Sequence, residues 1–218
     1  MRHIRHLKIL DQTATGHRCP EERRITLEHL SGHGINVPQD ELAYLALITR
    51  AINQKQIFEI WTFRGRTALN FALNYPDDCI IWTLDLPLEG RDEFARTTGT
   101  ADSGIIMESI PGIDYRGKDV ESKIWQLYGN SMEFDFTPYH GAMDLVFVDG
   151  AHHHDAAKSD TMNALEIVKQ HGLIIWHDFC KYYGDYNDVT RAALDVFPGE
   201  ESIQICNTQL AVFRQPRS

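Results

Sequence analysis

The chain has 218 residues, 43% of them apolar, and carries 31 acidic against 21 basic residues for a net charge of −10. That is ample apolar material for one α/β domain with decoration, and the acidic balance argues against nucleic acid, because phosphate binding needs a concentrated basic face. No apolar run reaches the roughly 18 residues of a membrane span, no signal-peptide centre is visible, and Cys19, Cys79, Cys180 and Cys206 lack CxxC spacing, which points to a reduced, cytoplasmic setting.

Residues 1–38 read as an irregular arm, with a short helix possible from Arg23 to Leu30. Arg2, His3, Arg5 and His6 are too few to reverse the charge, and His17 with Cys19 lacks the partners of a metal site. Asp40 reads as the cap of a helix whose apolar stripe is Leu42, Leu45, Ile48 and Ile52. The pattern then alternates. Residues 57–61 read as strand, 67–74 as helix with Ala68, Leu69, Ala72 and Leu73 inward, and 80–84 as strand ending at Asp85. Gly90, Gly99, Gly104, Pro111, Gly112 and Gly117 interrupt residues 86–122, predicting an irregular, partly mobile excursion over the site. Residues 123–128 read as a strand ending at Gly129-Asn130-Ser131. Residues 144–148 form an apolar run closing on Asp149-Gly150, with Tyr139 and His140 before it as rim candidates. His153 and His154 read as surface at the start of the next helix. Ala157, Thr161, Ala164, Leu165 and Val168 then recur at helical spacing, with Gly172 at the helix end. Residues 172–176 form a second apolar run closing on His177-Asp178. Val189, Ala193, Val196 and Phe197 mark a helix stopped by Pro198-Gly199. Residues 202–206 and 209–213 finish as a hairpin around Asn207-Thr208. Trp82, Trp125 and Trp176 are assigned to core packing.

Five strands alternating with helices and a terminal hairpin describe an α/β fold. The sheet is doubly wound, mostly parallel and seven-stranded, with an antiparallel C-terminal hairpin, all within one domain at residues 39–218. A strand–helix–strand unit forces its strands parallel with a right-handed crossover. Asp149 and His177-Asp178 then fall side by side at the carboxyl edge, where open α/β sheets bind ligands. Gly65 suits a strand-to-helix turn where backbone approaches a ligand. About twenty residues on, Asp85 is placed to accept both hydroxyls of a ribose. GxGxxG is missing, so the site suits a nucleoside without a diphosphate.

The motifs Glu59-Ile-x-Thr62-x-x-Gly65-Arg-Thr67, Leu84-Asp85-Leu86, Tyr128-Gly-Asn130-Ser131, Val148-Asp149-Gly-Ala-His152 and Trp176-His177-Asp178-Phe179 occur in this order. In that series, from Phe58 to Phe213, the chain resembles class I S-adenosylmethionine-dependent methyltransferases with a Rossmann-like sheet. The likeness is nearest to small bacterial O-methyltransferases related to macrocin O-methyltransferase and cephalosporin-hydroxylase-like proteins. The resemblance implies that Glu59, Thr62, Gly65 and Thr67 surround the methionine part of the cofactor, that Asp85 holds the ribose, and that Asn130 and Ser131 flank the adenine. It implies a divalent cation, Mg²⁺ or Mn²⁺, at Asp149 with His177 and Asp178, Asp149 also bordering the cofactor. His152 matches the general base of sugar O-methyltransferases. An imidazole suits removal of a hydroxyl proton near neutrality, the alternative being a positioning or structural histidine. Two positions depart from the family: Trp61 stands where glycine is usual, and Asn130 where aspartate is common.

The expected activity is methyl transfer to a hydroxyl of a sugar or natural-product-like small molecule, with neither membrane nor nucleic acid as partner and a homo-oligomer left open. Two alternatives remain at this stage. One is a non-catalytic binding module whose pocket is altered by Trp61. The other is a metal-dependent enzyme such as an oxygenase.

Overall fold

In the computed structural model, residues 25–30, 36–52, 55–98, 102–108, 110–182, 185–197 and 202–214 are described. The alternating strands and helices build one seven-stranded sheet. Its strands are β1 (Gln56–Ile60), β2 (Ile80–Asp85), β3 (Ile124–Tyr128), β4 (Met143–Val148), β5 (Val168–Trp176), β6 (Ser202–Gln204) and β7 (Ala211–Arg214), in the spatial order β3-β2-β1-β4-β5-β7-β6. Strands β1 to β5 run parallel, whereas β7 is antiparallel to both β5 and β6. Every residue of β4 is buried, the continuous apolar pattern of a parallel strand covered on both faces. Strand order reverses between β1 and β4, and this switch point is where the functional side chains gather.

Successive strand residues point to opposite faces and fill two cores. Helices α1 (Gln39–Ile52) and α2 (Arg66–Asn74) cover one core, in which Leu42, Leu45, Leu69 and Phe71 meet Ile57, Leu145, Phe147 and Ile175. Helices α5 (His154–Ile167) and α6 (Asp188–Val196) cover the other, where Ala164, Ile167, Ala193 and Phe197 meet Phe58, Val146, Val148 and Trp176. Between β2 and β3 lie two short helices, α3 (Arg91–Thr98) and α4 (Ser103–Glu108), so the 86–122 excursion carries more regular structure than its glycines suggested.

Several boundaries differ from the sequence reading. Helix α1 begins at Gln39, which places Asp40 in its first turn instead of at the cap. Gly172 does not end a helix. Strand β5 starts at Val168, directly after α5, and Gly172 lies within it, where a Cβ would come 2.6 Å from Val168 Cγ2. Residues 25–30 have no regular secondary structure. The Asn74 and Asn70 amides, one turn apart on α2, hold their backbone at Thr26 and Glu28. Trp176 is core, but Trp125 sits on edge strand β3 and is 55% exposed, tilted against Trp82. Tyr139 packs on Phe58 and Trp82, and His140 faces Glu166, so neither lines the site. Cys79, Cys180 and Cys206 are free thiols. The Arg/His cluster at 2–6, His17, Cys19 and the Pro198-Gly199 stop lie outside the described residues. Among the described residues, no helix is long and apolar enough to cross a membrane.

Candidate functional site

The β1–α2 loop leaves the sheet in an unusual backbone path. Trp61 (φ 79°), Phe63 (φ 50°) and Gly65 (φ 82°) all take left-handed conformations. The amides of Trp61 and Thr62 both donate to the Leu84 carbonyl, at 2.8 and 3.1 Å, which ties the loop to β2. Gly65 is needed where it stands, because a Cβ would lie 2.5 Å from the Tyr115 ring. Thr62 Oγ1 sits 2.7 Å from Thr83 Oγ1 and accepts from Gln126 at 2.8 Å. Glu59 is sealed in the sheet, 1% exposed, and accepts from Thr83. Burial, with Asp149 and Asp85 nearby, pushes its carboxyl well above the ordinary range.

Asp85, at the end of β2, is fully engaged. Its Oδ2 accepts from the Phe63 amide at 2.7 Å, while Oδ1 accepts from the Leu86 amide at 2.7 Å and from Arg91 Nη2 at 2.9 Å. Both side chains of this ion pair are almost wholly buried. Burial raises the Asp85 carboxyl to about 6, against the opposing pull of Arg91 and the two amides.

At the paired ends of β4 and β5 the expected acids and histidine converge. The His177 amide donates to the Val148 carbonyl at 2.9 Å, which sets the two strand ends level. His177 Nδ1 lies 2.9 Å from Asp149 Oδ1 and 3.0 Å from Asp178 Oδ2, and one ligand atom from each of the three residues lies within 4.8 Å of the others. On the far side of the ring, Nε2 lies 2.9 Å from Glu41 Oε2, and the other Glu41 oxygen accepts from the Gln209 amide at 2.7 Å. Burial disfavours the His177 cation, yet Asp149, then Asp178 and Glu41, hold its pKa far above the ordinary imidazole value.

His152 follows β4 and is clamped between two carboxylates. Its Nδ1 is 2.6 Å from Asp102 Oδ1, its Nε2 is 2.8 Å from Asp178 Oδ2, and its backbone amide donates to Asp102 Oδ2 at 3.1 Å. Burial works against the charged ring, but the two acids push its pKa up to about 10. Burial raises the Asp178 carboxyl, and the facing histidines more than reverse that, holding it below its ordinary range. The imidazole is therefore protonated at neutrality in this arrangement. His153 caps α5 by accepting from the Ala156 amide at 3.4 Å, and His154 opens the helix, so these two histidines belong to the helix start.

Trp61 borders two of the cavities that open at this edge. The smaller, about 90 Å³, is lined by Asp85, Asn130, Ser131, Gly150 and Asp102. The larger, about 250 Å³, is lined by Thr62, Arg66, Thr67, Asp149, His152, His177 and Asp178. The Trp61 ring meets His152 edge-on at 5.8 Å, so the indole forms part of the wall between the two spaces. Glu59 and Gly65 line neither cavity: one is locked inside the sheet and the other lies under Tyr115. Sequence reasoning missed Glu41, Arg66, Arg91 and Asp102. Glu41 did leave a signal, since it stands in register with Leu45, Ile48 and Ile52 on the apolar stripe of α1.

A family described as methyltransferase domain matches residues 58–179. Caffeoyl-CoA O-methyltransferase 2 of Petunia hybrida is 26% identical over 222 residues, spanning 91% of this chain and 83% of its own. Caffeoyl-CoA O-methyltransferase 3 of Nicotiana tabacum is 24% identical, spanning 89% and 82%. Among solved structures, an O-methyltransferase from Bacillus cereus in complex with S-adenosylhomocysteine aligns with a TM-score of 0.59 at 12% identity, covering 85% of this chain and 84% of its own. An O-methyltransferase of Streptomyces achromogenes involved in tomaymycin synthesis, in complex with S-adenosylmethionine, aligns with a TM-score of 0.54 at 16% identity, covering 84% and 82%. The family match spans more than half of the chain. The chain belongs to the methyltransferase-domain family and is an S-adenosylmethionine-dependent methyltransferase, similar to the caffeoyl-CoA O-methyltransferases.

Proposed function

We propose that this methyltransferase moves the methyl group of S-adenosylmethionine to a hydroxyl of a small, sugar- or natural-product-like molecule, with a divalent cation held by Asp149, His177 and Asp178. The observation that carries the reading is the convergence of those three side chains at the strand-order switch, beside a cavity of about 250 Å³. Two carboxylates and an imidazole suit Mg²⁺, Mn²⁺ or another first-row ion. Glu41 fits the same purpose from behind. With Oε2 2.9 Å from Nε2, its negative charge would favour the His177 tautomer protonated there and leave the Nδ1 lone pair facing the two acids. A cation there would orient the acceptor hydroxyl and lower its pKa.

The chain's own residues divide the remaining work. Asn130 and Ser131 border the smaller cavity, on the nucleoside side, while Thr62 and Thr67 border the larger one next to the acids. Asp85, committed to Arg91, would hold a ribose only by sharing its oxygens. His152 can accept a proton only where Asp178 is engaged elsewhere, because two facing carboxylates keep the ring charged. Its first role is thus to join the 86–122 excursion to the acid cluster, with proton transfer conditional on release of Nε2.

Calorimetric titration with S-adenosylhomocysteine, with and without Mn²⁺, tests the proposal, together with anomalous diffraction from Mn²⁺-soaked crystals. The expected result is binding of the nucleoside and a manganese peak between Asp149 and Asp178. Methyl transfer that persists undiminished in a chelator would refute the role of the cation. Failure to bind S-adenosylhomocysteine would refute the cofactor assignment.

A further inference from the structure

Arg66 opens α2 and is only 4% exposed. Its Nη1 donates to the Val37 carbonyl at 3.0 Å, but its Nε and Nη2 are buried without a hydrogen-bond partner among the described residues. Charged donors taken out of water and left unmade are costly, so a native chain that keeps them implies a partner. Asp114, the acid whose charge reaches Arg66, is already bonded by Arg64 at 3.0 Å. The two open donors are not a random pair. Nε–H and Nη2–H lie side by side along one edge of the planar guanidinium, at a spacing that matches two oxygens of one anion. Arg66 also lines the larger cavity, with Thr62, Thr67 and Asp149.

We infer that Arg66 is the receptor for a carboxylate on a ligand in this cavity, gripping it through the Nε–Nη2 edge while Val37 fixes the other end of the fork. A carboxylate is favoured over a phosphate by the composition of the cavity wall. Arg66 is the one arginine or lysine among the described residues that line it, so a single guanidinium edge meets a single two-oxygen anion. Holding Val37 alone does not account for the residue, since one donor would serve that contact without burying two idle ones. The inference rests on the methyl-transfer reading for the identity of its ligand. The carboxylate comes either from the methionine end of the cofactor or from an acidic acceptor.

Calorimetry on the full chain separates these sources. One arm compares S-adenosylhomocysteine with its decarboxylated analogue. The other compares 3-hydroxybenzoate with phenol at saturating S-adenosylhomocysteine. Both are run on the native chain, Arg66→Gln and Arg66→Lys. If the cofactor brings the carboxylate, the native chain prefers S-adenosylhomocysteine about tenfold to a hundredfold, and Arg66→Gln abolishes that preference. If the acceptor brings it, the preference appears between 3-hydroxybenzoate and phenol and is lost in the same variant. Arg66→Lys keeps the charge without the fork and retains only part of the preference; it carries the test if Arg66→Gln fails to fold. No carboxylate preference in either arm, or preferences untouched by both substitutions, overturns the inference and leaves the methyl-transfer reading standing. A native chain that binds no S-adenosylhomocysteine overturns both.

Discussion

Replacing Asp102 with asparagine should destabilise the chain in a pH window set by His152. Asp102 bonds His152 twice, through Nδ1 at 2.6 Å and through the backbone amide at 3.1 Å. Asparagine keeps one acceptor for the amide but removes the charge that supports the imidazolium. A charge-assisted bond is worth about 1.5–3 kcal/mol when well shielded. With 36% of the His152 side chain in contact with solvent, screening reduces this to about 1–2 kcal/mol. At roughly 2–4 °C per kcal/mol for a chain of this size, the melting temperature should fall by about 2–8 °C near neutrality. The folded-state pKa of His152, about 10, exceeds its unfolded value of about 6.5. The contribution is therefore fully present below the unfolded value and is lost as pH rises through the folded one. At the acid end, the Asp102 carboxyl is held below its ordinary range: burial opposes this, and His152 more than offsets it. Its contribution is thus present above the unfolded value, about 3.9, and lost as pH falls through the folded one. Thermal melts of both proteins in a chelator, at a pH of about 6.5 and again about one unit above the folded-state value, measure the difference. A destabilisation equal at the two pH values would refute the ion-pair reasoning.

Glu41→Gln should weaken Mn²⁺ binding about 10- to 100-fold by titration, through loss of the carboxylate behind His177; undiminished affinity would place Glu41 outside the site. Asp149→Asn should remove most of that binding, and a native-like manganese isotherm in the variant would rule out the proposed cluster. Asp85→Asn should cost about 3–5 kcal/mol in urea unfolding, because it strips the ionised partner from a buried Arg91; a cost below about 1 kcal/mol would mean that the pair is solvated. Trp61→Gly should raise S-adenosylhomocysteine affinity about tenfold by opening the wall between the two cavities, while relieving a left-handed backbone cost of about 1–2 kcal/mol. Weaker binding in that variant would show that the indole is a contact surface for the ligand.

The parallel sheet was legible because β2, β4 and β5 end in apolar runs that stop at Asp85, Asp149 and His177-Asp178, and the paired ends of β4 and β5 follow from the helix between them. The juxtaposition of His177-Asp178 with Asp149 was therefore legible in the sequence. Asp102 was not, because it lies among the glycines of the 86–122 excursion, where no periodicity fixes a neighbour. Arg66 was hidden for a different reason: an arginine at the start of a helix reads as surface, and only the packing of Val37 and α2 buries it. The ribose role of Asp85 was read from spacing alone, which gave no sign that Arg91, six residues on, closes back onto it. Gly172 misled because a glycine after a helical pattern has two uses, and here close approach within a strand took precedence over ending a helix.

The backbone path of the β1–α2 loop is set by contacts from outside the loop. Left-handed conformations alternate at positions 61, 63 and 65, yet only the last is glycine. An L-residue in that region costs about 1–2 kcal/mol, so Trp61 and Phe63 persist there only because their surroundings over-determine the path. Those surroundings can be named. Leu84 holds the amides of Trp61 and Thr62, Asp85 holds the amide of Phe63, and Tyr115 covers Gly65. None of these constraints depends on the side chains at 61 and 63, so the backbone path is set from β2 and from the Tyr115 turn. The two aromatic residues then act as attachments to a fixed loop. One of them, Trp61, is set edge-on against His152 and borders both cavities, so a change of side chain there reshapes the wall they share without moving the backbone that frames them.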